Sequence, residues 1–187
     1  MNDLVLFLIA LGFCGAALAQ NTTLQFDPAQ THIEWALDTA LHTVHGTFTL
    51  KRGMIHFDPV SGKADGEVVV DTASGESGNR LRDHRMHREI LETRRYPEIV
   101  FVPARVEGKI NLNGTSHVQV HGELTIHGDS HAFVLPIEAR AEQGQLTATT
   151  SFGIRYMDWG IKNPGRFFLT VGDTVHLTIN AAGRLSN

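Results

Sequence analysis

Eleven histidines are spread through the 187 residues, and two pairs of them, His42 with His45 and His84 with His87, stand three apart. Zinc needs three or four such ligands in reach of one another. No H-E-x-x-H pattern supplies them, and Cys14 is the chain's one cysteine. His117, His121, His127 and His176 fall on alternating positions of polar strand faces, where a polar residue is expected in any case. No specific metal set emerges, although a His-rich metal-binding or stress protein stays an alternative. Serines stand at 61, 74, 77, 116, 130, 151 and 186, none in a G-x-S-x-G elbow. The carboxylates are scattered and no glycine-rich phosphate loop is present, so no catalytic residue and no cofactor is expected. A small enzyme acting on a lipid is the second alternative.

The densest charge lies in GNRLRDHRMHREILETRRYPEIVF, residues 78–101, which holds six of the twelve arginines: Arg80, Arg82, Arg85, Arg88, Arg94 and Arg95. Placed on a helix, Asp83, Met86, His87, Ile90 and Leu91 fall on one side and Arg82, Arg85, Arg88, Glu89 and Glu92 on the other. The pattern predicts an amphipathic α-helix of three to four turns, about 78–93, with Ser77 or Asn79 as its N-cap and Tyr96-Pro97 as its stop. Its apolar stripe must lie on an apolar surface. The arginines are then mostly a solvated face, with Arg85–Glu89 and Arg88–Glu92 at pairing distance, and Asp83 and His87 form a hydrogen-bonded pair on the buried side.

The elements around this helix read as strands. In HVQVHGELTIH, residues 117–127, Val118, Val120, Gly122, Leu124 and Ile126 alternate with polar residues without a slip, giving one dry face and one wet face. After a turn at Gly128-Asp129 the scheme repeats with Phe133, Leu135, Ile137 and Ala139 inward, while Pro136 marks an edge or a bulge. The pattern recurs in Ile33-Trp35-Leu37, Phe48-Leu50, Ile55-Phe57, Val68-Val70, Ile99 to Val102, Leu146 to Ile154 and Val175 to Ala181, and the region 104–115 reads as a shorter strand pair. Turn signals stand at 51–53, 58–62, 113–114, 143–144 and 172–173. This spacing predicts an all-β antiparallel meander closed as a barrel or sandwich.

Residues 1–19, MNDLVLFLIALGFCGAALA, carry an apolar core and a small-x-small ending, the pattern of a secretory signal peptide cleaved before Gln20. The n-region departs from that pattern in lacking Lys and Arg, and bulky Phe13 before Cys14 disfavours lipid anchoring. Residues 20–187 then form a single domain, placed in the periplasm or outside the cell. Without residues 1–19, which include one acid and no base, the net charge of −4 becomes −3. That balance excludes general nucleic-acid affinity, which comes from excess basic charge.

What remains is large apolar side chains facing inward. A barrel of about eight strands is either filled by its own side chains or holds one small ligand. Inward-facing Gly122, Ala139, Ala141, Ala148 and Ala181 favour a cavity, suited to a long hydrocarbon whose burial contributes about 0.8 kcal/mol per methylene. The residues expected to line it are Trp35, Phe48, Phe57, Met86, Ile90, Phe101, Leu124, Phe133, Phe152, Trp159 and Phe168. Arg82, Arg85 and His87 are the expected contacts for a polar head group.

The segments LHTVHGTF (41–48), GMIHFDP (53–59), SGNRLRDHRMHREILETRRYPEIVF (77–101), GELTIHG (122–128) and SFGIRYMDWGIKNP with VGDTVHLTI (151–179) together resemble the YceI-like family of polyisoprenoid-binding proteins. The resemblance implies an extended, lipocalin-like barrel of eight antiparallel strands with one capping helix, exported from the cytoplasm. It also implies an isoprenoid chain, such as a polyprenyl phosphate or a quinone, along the internal pore. Phe48 and Phe101 fall where the family's interior aromatics lie. Trp159 stands where many members have Phe, a departure that bears on how far the pore extends. The partners implied are an isoprenoid lipid and a transiently contacted membrane, with no nucleic acid; monomer or homodimer stays open.

Overall fold

The computed structural model describes residues 21–165 and 170–186. The leader at 1–19 and the aromatics Phe167 and Phe168 lie outside the described residues. The strands are β1 (Thr22–Phe26), β2 (His32–Thr39), β3 (Thr43–Phe57), β4 (Ala64–Glu76), β5 (Glu98–Gly108), β6 (Thr115–Ile126), β7 (Asp129–Glu142), β8 (Gln145–Ile154) and β9 (Val171–Ser186). Each of β2 to β9 pairs antiparallel with two neighbours, and the β3–β4 pairing closes the ring. β1 pairs with β3 and β9 where β2 has ended: Thr22 lies opposite Phe57 and Phe26 opposite Gly183, whereas β2 pairs Ile33 with Phe48 and with Ile179. β1 and β2 therefore share one position end to end, and the nine strands make an eight-stranded barrel. Asp27 makes the break between them, its carboxylate accepting from Ala29 N at 2.9 Å ahead of a single turn that begins with Pro28.

Closure gives each of β2 to β9 a partner on both sides over at least part of its length. Two of the hairpins are as tight as such turns come. His127 and Gly128 have φ of 54° and 80°, and Gln143 and Gly144 have 51° and 77°. Left-handed geometry at both central residues matches the twist of the flanking strands.

Three expected breaks are absent. Lys51-Arg52-Gly53 does not turn the chain; β3 runs through it for 15 residues. The glycine and charges there serve a bulge, where the register to β4 shifts between Leu50 and Arg52. Gly53 leaves room for the Phe26 ring, and Arg52 donates to Glu67 at 2.8 Å and to Glu98 at 3.0 Å. The Arg52 and Lys51 cations hold the Glu98 carboxyl below the usual range. In the same way, residues 98–108 form one strand rather than a strand and part of a separate pair, because Pro103 sits at a register shift and the ladder resumes after it. The signal at Gly172-Asp173 falls inside β9.

The helix is shorter than its pattern predicts. An α-helix, α1 (Arg80–Arg85), runs directly into a π-helical turn, Met86–Ile90, and ends at Leu91. Asn79 caps it, accepting from Leu81 N and Arg82 N at 3.1 Å each. Asp83 does not pair with His87; it accepts from the backbone and hydroxyl of Ser77, on the strand-to-helix connection. Arg85 meets Glu89 at 3.3 Å, but Arg88 reaches Glu89 at 3.7 Å rather than Glu92. Glu92 lies beyond the helix end, with φ of 46°, and stands 3.8 Å from His127 instead. These are exposed pairs, so Arg85→Ala is expected to cost about 0.5 kcal/mol or less, read as a melting temperature that barely moves.

Candidate ligand cavity

The inward face of each strand is built from the period-2 pattern, and the faces meet around a cavity of about 250 Å³. Its lining runs along β8 from Leu146 to Ile154, a length of about 26 Å at ~3.3 Å per residue. That proportion is a thread rather than a disc. The space arises where small side chains line up across the sheet. Ser116 pairs with Ala139, Ala139 with Ala148 and Ala148 with Ala181, a row crossing four adjacent strands. Among the described residues no charged side chain lines the cavity; its polar members are Thr31, Asn111, Ser116, Thr149 and Thr150.

Of the residues expected to line this space, Phe48, Phe57, Phe101, Leu124, Phe133 and Phe152 do so. Four others are placed elsewhere. Trp35 is buried with its indole over Gly46, where a Cβ would stand 2.3 Å from the ring, and its centroid is 6.5 Å from that of Phe48. Met86 reaches the barrel between Gly75 and the Phe48 side, and Ile90 packs with Leu91 against the aromatic cluster at the helix end. Trp159 lies past the end of β8. It lies on the single turn Tyr156–Trp159, and its Nε1 donates to Leu124 O at 3.3 Å. There it packs with Phe101, Leu124, Ile126 and Ile154. Its ring centroid is 6.3 Å from Phe133 and 4.7 Å from His131. The turn is anchored by Tyr156, whose hydroxyl donates to Gly172 O at 2.7 Å and which burial keeps protonated, its pKa raised. Phe168 lies outside the described residues.

Gly122, expected to make room inside, does so for a neighbour: a Cβ there would stand 2.8 Å from the Phe101 ring. Conversely, Ile110, Asn111 and Leu112 of the β5–β6 loop cover the end away from the helix. The sequence pattern hides them because 104–115 reads as a shorter strand pair, whereas β5 ends at Gly108 and β6 begins at Thr115, leaving 109–114 as a loop.

The head-group residues stand at the helix end and none lines the cavity. Arg82 folds back onto Ser77, its Nε 2.7 Å from the hydroxyl and its second nitrogen 2.7 Å from the carbonyl. Arg85 is held by Glu89. His87 is half-buried with Nδ1 lacking a partner. Among the described residues, no three His, Cys, Asp or Glu side chains come together as a metal site.

Comparison with known proteins follows the same outline. The family model for the YceI-like domain matches residues 24–182. No curated protein sequence matches the chain. Among solved structures, BcnA from Burkholderia cenocepacia superposes with a TM-score of 0.70 at 16% identity, covering 87% of this chain and 99% of that one. A polyisoprenoid binding domain from Saccharophagus degradans gives 0.66 at 14% identity over 87% and 98%. A YCEI protein from Campylobacter jejuni gives 0.55 at 23% over 71% and 80%. At these identities the likeness is one of fold.

Proposed function

The chain belongs to the YceI-like domain family, and from that premise we propose that it is an exported binding or carrier protein that holds a long isoprenoid-type lipid inside its barrel. One observation carries the reading: a narrow cavity runs along the barrel axis with no charged residue among the described residues that line it. Such a space rewards a flexible hydrocarbon and penalises anything that must bring a charge in unpaired. Burying ten methylenes there contributes about 8 kcal/mol, part of it offset by the cost of association. The polyisoprenoid binding domain of S. degradans shares the fold and supports the choice of ligand class. The apolar leader supports export, and a carrier of this kind meets its lipid at a membrane.

Native mass spectrometry of protein purified without detergent exchange tests the proposal. The expected result is a bound species of several hundred daltons that extracts into organic solvent. A mass lost to a chelator would instead mark a metal protein. Conversion of the extracted lipid, abolished by one polar substitution, would mark an enzyme.

A further inference from the structure

β7 and β8 hold each other only from Glu138 to Glu142 and from Gln145 to Thr149. Nearer the helix end, β7 keeps its ladder with β6 and β8 keeps its ladder with β9, but the two part from each other. Continued register would set Ile137 opposite Thr150 and Pro136 opposite Ser151. Neither pair forms, and Pro136 has no N–H to offer. Outside the parting lies a groove of about 620 Å³ whose walls include Glu107, His117, Gln119, Pro136, Glu138 and Ser151. This groove and the inner cavity share four lining residues, Val118, Ile137, Thr149 and Thr150. These side chains border the cavity on one side and the groove on the other.

Thr150 is the residue of interest among the four. It is 7% exposed, and its hydroxyl has no partner among the described residues. The hydroxyls on either side are satisfied: Thr149 donates to Asn180 at 3.0 Å and Ser151 bonds Thr178 at 3.1 Å. A buried hydroxyl without a partner costs free energy that an added hydrogen bond recovers. The charges around it select the kind of group that can supply one. Among the described residues no lysine or arginine lines the groove, and its two acids are Glu107 and Glu138. Glu107 is already engaged by Arg105 and His121, both at 2.9 Å, and Glu138 has no ion pair among the described residues. A phosphate here would face two carboxylates, with the neighbouring Arg105 already paired to Glu107.

We infer that the head of the bound lipid lies at the parting of β7 and β8, is uncharged, and exchanges a hydrogen bond with the Thr150 hydroxyl, as an alcohol or a carbonyl would. This rests on the carrier reading and adds the class of head group and its place. The chain threads the cavity, and the head sits where the wall opens to the groove.

The test uses three probes of similar chain: geranylgeraniol, geranylgeranyl monophosphate and the hydrocarbon phytane, each titrated against tryptophan fluorescence. Wild-type protein is expected to bind the alcohol at least about tenfold more tightly than the phosphate. Thr150→Val keeps the branched shape and should weaken the alcohol roughly three- to tenfold while leaving phytane unchanged. Thr150→Ser keeps the hydroxyl and should keep the preference. Glu138→Gln should narrow the gap between alcohol and phosphate. Equal binding of alcohol and phosphate by wild type overturns the inference. So does a Thr150→Val effect equal for alcohol and phytane, or the same loss in both Thr150 variants. Failure of wild type to bind any of the three would instead overturn the carrier reading itself.

Discussion

Replacing Ala148 with phenylalanine is expected to abolish lipid binding and leave the barrel folded. Ala148 is the centre of the small-residue row, flanked in register by Ala139 and Ala181, and it lines the cavity. A ring there projects into empty space. Its burial contributes about 1.5–3 kcal/mol, against an overpacking cost of about 1–3 kcal/mol, so the unliganded protein should melt within a few degrees of wild type. The bound chain is interrupted midway. Displacing five methylenes removes about 4 kcal/mol, close to a thousandfold in affinity. Thr147→Phe, on the exposed face of the same strand, is the control and should bind as wild type does. Thermal melting with and without lipid checks both halves: the ligand-induced rise in melting temperature disappears for Ala148→Phe and persists for Thr147→Phe. Retained binding in Ala148→Phe would mean that the lipid lies elsewhere.

The inner surface was legible in the sequence because it obeys a single local rule. From Val118 to Ile126, Phe133 to Ala139 and Leu146 to Ile154, the residues assigned inward by alternation are nearly all the residues that meet the cavity. Alternation is fixed by backbone geometry and needs no knowledge of the partner strand. What depended on partners was not legible. Lys51-Arg52-Gly53 reads as a turn, yet a bulge against β4 and charges on Glu67 and Glu98 keep it in a strand. Gly122 reads as an open position, yet the Phe101 ring fills it. Trp35 and Trp159 read as lining because they are large and apolar, and both are buried beyond the cavity. The parting of β7 from β8 is a property of two strands at once, announced locally only by Pro136. The helix pattern gave the face but not the pitch: the stripe of Met86, Ile90 and Leu91 does meet the barrel, while the last turn is π-helical and Arg88 meets Glu89.

Trp159 is expected to set where the cavity stops, so its removal should be felt in both stability and ligand length. The indole shares one apolar cluster with Phe101, Leu124, Ile126 and Ile154, all four of which also line the cavity, so the ring adjoins that space. Trp159→Ala removes those contacts and the hydrogen bond to Leu124 O. Truncation of a buried tryptophan costs about 3–5 kcal/mol, a fall in melting temperature of roughly 10 °C for a domain of this size. The vacated volume adjoins the existing cavity, so the variant should accept longer chains than wild type. Each further buried methylene should add about 0.8 kcal/mol, which also restores part of the lost stability through linkage. Trp159→Phe keeps an aromatic stopper and should fall between the two. A homologous series of isoprenoid alcohols, titrated against all three proteins, gives the answer. If affinity levels off at the same chain length in Trp159→Ala as in wild type, while the melting temperature falls as expected, Trp159 is a structural residue that does not bound the cavity.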